Sequence, residues 1–267
     1  MNVAADIAVI SEMNMSVPFF VLGLLFGSFL NCMAMRLVRK EDWVKGRSRC
    51  RDCGHELGFP DLIPVISFIF SRGRCRYCKK PISLRYPVTE LLFAMVSVLI
   101  YLRSGISFET LRSFILACCL FVLSLTDIEE RTIPNGCIIT AIVSWIVTEP
   151  FLFAGWRDMW MHIAAMAVYV VLILCLSLVM DAVLKKDSLG GGDVKLIGVL
   201  ALYLGFAGTM FMLFFASVTA IIWAFAARKL KRGQIITFGP FLSAAGLAMV
   251  LFGEGLVGWY MGLMGVV

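Results

Sequence analysis

The chain has 267 residues, 60% of them hydrophobic and 16% charged, with a mean hydropathy of +0.91. Soluble domains carry about 45–50% apolar and about 25% charged residues, so this composition excludes a water-soluble globular fold and, on the same ground, intrinsic disorder. The net charge of +6 leaves nucleic acid open as a partner until the placement of the cations is considered.

The first residues, Met1 to Met15, lack a basic run, and the apolar stretch that follows ends in Arg36, Arg39 and Lys40 with no small-residue cleavage site. That predicts a retained membrane anchor. A membrane helix needs about 20 apolar residues, and candidates fall at residues 17–35, 87–102, 111–126, 136–153, 159–184, 194–206, 209–227 and 240–264. The second, third and sixth are short. The expected fold is therefore an all-α polytopic membrane protein of about eight transmembrane helices. Its expected parts are an N-terminal segment and first helix over 1–37, a small cytoplasmic domain over 38–86, and a membrane domain over 87–267.

An outside N-terminus puts segments 36–85, 131, 185–195 and 228–232 in the cytoplasm, and these hold 21 of the 24 Lys and Arg residues. The asymmetry obeys the positive-inside rule. It also accounts for the charge, because the basic loops face anionic membrane lipid and no nucleic acid is required.

Four of the nine cysteines form two C-x-x-C pairs, Cys50/Cys53 and Cys75/Cys78, in the basic segment between the first two spans. Two residues between thiolates let both sulfurs of a turn reach one ion, and two such turns complete a tetrahedral, closed site for a structural divalent ion. Arg49, Arg51, Arg74, Arg76, Lys79 and Lys80 would offset its negative charge, and a domain this small gains from a metal staple. Disulfides or idle thiols are the plainer alternatives. Cys32, Cys118, Cys119, Cys137 and Cys175 lie in or beside apolar runs and read as packing residues.

Ionisable residues at the ends of apolar spans are functional candidates. Asp127 ends the third span, and Asp193 follows Gly190, Gly191 and Gly192 just before the sixth. The topology puts both at the cytoplasmic boundary. Two carboxylates that meet there would share a proton and activate a water against a peptide carbonyl. The three glycines would let a substrate backbone approach closely. The helix dipoles predict Asp193, at a helix N-terminus, as the ionised base and Asp127, at a C-terminus, as the protonated acid. The plain alternatives are a helix N-cap for Asp193 and a loop-boundary residue for Asp127. Glu129 and Glu130 read as solvated charges, Asp181 and Asp187 flank the same boundary, and His162 and Glu254 have no assigned role.

Five ordered blocks now carry a resemblance. They are Gly27-Ser28-Phe29-Leu30-Asn31 with Arg36-Leu37; the stretch from Arg47 to Glu90 with both cysteine pairs; Asp127 with Ile133-Pro134-Asn135; Gly190-Gly191-Gly192-Asp193-Val194-Lys195-Leu196; and Phe238-Gly239-Pro240-Phe241-Leu242. The chain resembles bacterial type IV prepilin peptidases, the leader peptidase/N-methyltransferase group of GxGD aspartic proteases.

The resemblance implies an eight-helix inner-membrane protein with a cytoplasmic zinc-binding domain, which cuts prepilin or pseudopilin leaders after a glycine at the cytoplasmic face. It implies methylation of the new N-terminus with S-adenosylmethionine as donor. It makes Asp127 and Asp193 catalytic and Cys50, Cys53, Cys75 and Cys78 metal ligands. Cys32, Met33, Met35, Val38 and Thr237 depart from the family pattern. Asn31, Arg85 and Glu90 are polar residues near the interface where the methyl donor would have to bind. No strand–turn–helix glycine motif for a dinucleotide-type fold is present. The rival readings are a cation- or proton-coupled transporter using Asp127 and Asp193, a methylation-deficient peptidase, and a non-enzymatic assembly factor.

Overall fold

The computed structural model describes residues 3–43, 45–152, 155–185, 190–227 and 237–263. Its described elements are α1 (Val3–Val38), a 3-10 turn (Phe59–Asp61), the short α2 (Ile66–Phe70), α3 (Arg85–Ser104), α4 (Phe108–Glu130), α5 (Asn135–Leu152), α6 (Trp156–Leu184), α7 (Gly191–Ala226) and α8 (Gly239–Leu263). Seven of these helices are long and apolar enough to cross a membrane. The expected sixth and seventh spans are both within α7, where Gly205 takes a non-helical φ of 65° and ψ of −167°. The expected eight apolar runs are thus seven elements, one of them broken. The expected cytoplasmic loop over 228–232 and Asp187 lie outside the described residues.

The chain divides into two compact units, Met1–Thr110 and Leu111–Val267. In the first, α1 and α3 pack antiparallel at very short range. A Cβ added to Gly23 would lie 2.6 Å from the Ala94 Cα, and one added to Gly27 would lie 3.0 Å from the Glu90 Cα. Gly23 and Gly27 are four residues apart and so share one helix face, as do Glu90 and Ala94. This is the small-xxx-small solution to helix packing in lipid, where close backbone approach replaces hydrophobic drive. The same register continues in the Ser97 hydroxyl donating to the Phe19 carbonyl at 2.9 Å and Phe19 stacking on Tyr101 at 4.6 Å. It also continues in the Asn31 amide donating to the Thr89 hydroxyl at 2.8 Å. The sequence-based division placed α3 with the later helices; here it packs on α1.

In the second unit α7 is central, with residues Val194, Leu196, Ile197, Val199, Leu200, Ala201 and Leu202 all buried. Gly198 admits Val170 of α6, and Gly246 of α8 admits Leu200. The break at Gly205 frees backbone groups that a membrane interior must satisfy. His162 Nδ1 reaches the Leu202 carbonyl at 2.9 Å, the Tyr169 hydroxyl donates to the Phe206 carbonyl at 2.8 Å, and the Thr209 hydroxyl donates to the Gly205 carbonyl at 2.6 Å. His162, unassigned from sequence, serves that break. Nearby, Arg112 pairs with Glu149 at 3.0 Å and lies over the Tyr203 ring.

Candidate active site and candidate metal centre

Asp127 is three residues before the end of α4, and it is buried. The helix closes behind it in a left-handed cap: Arg131 has φ 57°, and its N–H donates to the Asp127 carbonyl at 3.0 Å. Asp193 is in the first turn of α7, where its N–H donates to the Gly190 carbonyl at 2.9 Å. It is therefore inside the helix and not its N-cap, which is Gly190.

Two contacts bring these helix ends together. Ile133, in the turn after α4, fills the space over Gly192, where a Cβ would come within 2.9 Å of its own. Lys195 Nζ donates to Asn135 Oδ1 at 3.0 Å, tying α7 to the start of α5. The Ile133-Pro134-Asn135 motif thus docks the first aspartate's turn on the second aspartate's helix, and the two carboxylates lie within electrostatic reach of each other.

The third element is α8. Gly239, its first residue, donates its N–H to Asp127 Oδ2 at 3.1 Å, and a Cβ at this position would lie 2.7 Å from the same oxygen. The first N–H groups of a helix have no partner inside it, and Pro240 carries none. Gly239 therefore offers Asp127 both a donor and room. Leu200 is seven residues past Asp193, Gly246 is seven past Gly239, and Leu200 packs on Gly246. Asp193 and Gly239 accordingly start their helices at one level, beside Asp127. The helix-dipole argument that separated the two aspartates counted each one's own helix, and α8 adds its N-terminus on the side of Asp127.

Of the three glycines expected to admit substrate, Gly192 is covered by Ile133. Gly190 lies beside the Asp193 carboxylate, and a Cβ on Gly191 would meet nothing within 4 Å. Glu129 and Glu130 are exposed on the last turn of α4, and Asp181 is half-buried on α6. Sequence reading missed the role of Gly239. Its signals were its place in the Phe238–Leu242 block and a glycine before proline at a helix start, neither of which points to a residue 112 positions away.

The cysteine segment is built as two copies of one turn. Cys50 N–H donates to the His55 carbonyl and Gly54 N–H to the Cys50 carbonyl; Cys75 N–H donates to the Lys80 carbonyl and Lys79 N–H to the Cys75 carbonyl. Gly54 and Lys79 have φ of 71° and 61°, and each turn is closed by a bridge, Arg49 to Glu56 and Arg74 to Pro81. This is a small structural repeat, matched in sequence by Arg-Cys-Arg-x-Cys at 49–53 and at 74–78. All nine cysteines are free thiols.

The four sulfurs lie within 4.8 Å of one another, with Cys50 and Cys78 Sγ atoms 3.9 Å apart. A tetrahedral ion with bonds of about 2.3 Å needs sulfurs about 3.8 Å apart, so the set fits one divalent metal. The Cys53 and Asp52 amides lower Cys50 to about 7. The Lys80 amide favours the Cys78 thiolate, but desolvation and the three facing thiols outweigh it and push Cys78 up to about 11.

Asn31 and Glu90, considered for the methyl donor, are buried and engaged inside the first unit. Asn31 bonds Thr89, and Glu90 Oε2 accepts the Val65 N–H at 2.8 Å.

Residues 21–104 match the model of the bacterial peptidase A24 N-terminal domain, and residues 114–225 match the type IV leader peptidase family. The chain is 28% identical to a prepilin leader peptidase/N-methyltransferase of Pseudomonas putida over 92% of its length and 93% of the relative's. It is 29% identical to the protein of that name from Bacillus subtilis, over 90% and 96%. A Myxococcus xanthus relative of the same name is 32% identical over 78% of this chain and 61% of its own. No solved structure matches. With both family models matched in order and relatives aligned over nearly the whole chain, this protein belongs to the type IV leader peptidase family.

Proposed function

We propose that the protein is a membrane aspartic endopeptidase that removes the leader of type IV prepilins and pseudopilins, and then methylates the new N-terminus. Family membership supports the activity and the substrate class. One observation carries the assignment of its chemistry: the buried Asp127 and the half-buried Asp193, on different helices, come within electrostatic reach beside the N-terminus of α8.

Brought onto one water, the two carboxylates would share one proton. The ionised one takes a proton from water as the water oxygen attacks the scissile carbonyl, while the protonated one donates to the carbonyl oxygen. Collapse of the tetrahedral intermediate breaks the C–N bond, and a proton passes from the dyad to the departing amine. Gly190 and Gly191 leave room beside Asp193 for an extended substrate backbone. A glycine at the cleavage point eases unwinding of the substrate helix.

We assign the metal as zinc, since four cysteines in a closed tetrahedral set suit a structural zinc ion. The basic loops support an outside N-terminus, with the cysteine segment and the aspartate ends of the helices facing the cytoplasm. S-adenosylmethionine supplies the methyl group of the second reaction. The transporter reading gains no support, because both aspartates are at helix ends and not at mid-membrane.

Purified protein incubated with a prepilin and S-adenosylmethionine tests the reading by product mass. Loss of the leader and gain of one methyl are the expected result. An unchanged substrate, with ion flux in proteoliposomes, would reject it.

A further inference from the structure

The stretch Leu62 to Phe70 is apolar except for Pro64 and Ser67, yet it is part of the most basic segment of the chain. Its short helix α2 exposes Ile66, Ile69 and Phe70, with Phe59 and Leu62 exposed beside it; Phe70 is 78% exposed. Such a surface is costly in water.

Its depth is fixed by one hydrogen bond. The Val65 N–H, at the N-cap of α2, donates to the buried Glu90 carboxylate at 2.8 Å. Glu90 is five residues into α3, about 7.5 Å past its Arg85 end along the axis. An apolar helix pinned there lies at the boundary of the membrane that α3 crosses. Interfacial helices bury their apolar face about 5–10 Å into the headgroup region.

Directly after α2 the chain forms a cavity of about 740 Å³ lined by Phe70, Ser71, Arg72, Arg74, Cys75, Arg76 and Lys79. Arg76 is paired with Asp61 at 3.1 Å. Among the described residues, Arg72, Arg74 and Lys79 have no carboxylate partner within ion-pair distance. Residues 39–84 hold eleven Lys and Arg against five Asp and Glu. Four thiolates around a divalent ion remove only two of that surplus. The cavity therefore suits an anion, and the apolar helix on its rim suits acyl chains. A basic prepilin leader is repelled by the same charges.

From this geometry we propose that α2 and the Arg72–Arg74–Lys79 cavity form a binding site for an anionic phospholipid, phosphate in the cavity and chains along Ile69 and Phe70. The site seats the cysteine segment on the membrane surface. It rests on the membrane topology proposed above but not on the aspartate chemistry.

Native mass spectrometry of the full-length, metal-loaded protein tests it, with phosphatidylglycerol and phosphatidylcholine added in turn. Phosphatidylglycerol should bind in preference. Removing two cations, as Arg72→Ser with Arg74→Ser, should weaken it about thirtyfold, while the double lysine replacement retains it. Ile69→Ser with Phe70→Ser should also weaken it. If the serine pair at 72 and 74 loses metal, Arg72→Gln alone, farther from the ligands, is read instead. Equal binding of both lipids, or unchanged binding in metal-replete variants, overturns the proposal. So does displacement by inorganic phosphate as easily from wild type as from the Ile69/Phe70 variant, which would mean a simple anion site. Masses of two chains that the Ile69/Phe70 variant abolishes would mean a dimer surface and also overturn it.

Discussion

Gly239 donates its N–H to Asp127 Oδ2 at 3.1 Å, and leaves space that a methyl group would take from that oxygen, at 2.7 Å. The pairing makes α8 part of the site although it contributes no acidic residue there. It predicts that Gly239→Ala keeps the protein folded but moves the carboxylate. A misplacement of about 1 Å costs about a hundredfold in rate, so kcat should fall by about that factor with KM little changed. Steady-state kinetics on a prepilin peptide checks this; an unchanged kcat would show that Asp127 needs no such support.

The α1–α3 contact predicts a stability effect. Gly23→Val would put side-chain atoms where a Cβ alone lies 2.6 Å from the Ala94 Cα and 2.8 Å from the Ser97 Cβ. Overpacking costs about 1–3 kcal/mol. The unfolding temperature in detergent should drop clearly, whereas Gly191→Ala, which meets nothing within 4 Å, should leave it unchanged.

The cysteine site predicts a pH dependence. The metal binds thiolates, so each thiol still protonated must release a proton on binding. Cys78, pushed up to about 11, is protonated at neutral pH, and Cys50, lowered to about 7, joins it as the solution is acidified. Metal affinity, and the stability it gives the segment, should therefore rise with pH and fall more steeply below about pH 7. Titration against a chromogenic chelator reads this directly, and an affinity flat from about pH 6 to about pH 8 would contradict it.

His162 bonds the Leu202 carbonyl beside the Gly205 break. His162→Ala leaves that carbonyl without its side-chain partner, at a cost of about 1–3 kcal/mol. Thermal unfolding should show the loss.

The sequence made some of this legible for physical reasons. The metal ligands are local: C-x-x-C is one turn, so spacing alone carries the geometry. The aspartates stood out because charge at the end of an apolar run is rare. What stayed hidden is long-range. Gly239 faces a residue 112 positions away, and Ile133 covers Gly192 across a helix. The Gly23/Gly27 spacing was a readable signal for close helix packing, overlooked because both lie in an ordinary apolar run. The break in α7 was expected between 206 and 209 and falls at Gly205, where the φ of 65° suits glycine. The assignment of acid and base from helix dipoles counted each aspartate's own helix and not α8, whose N-terminus Asp127 also meets.

In the proposed mechanism Asp127 and Asp193 cut the substrate together. The most direct test compares wild type with Asp127→Asn and Asp193→Asn on one prepilin, reading products by mass and folding by unfolding temperature and metal content. Leader release by wild type alone is expected, with both variants folded, metal-loaded and inactive. Cleavage by either folded variant at the wild-type rate would contradict it.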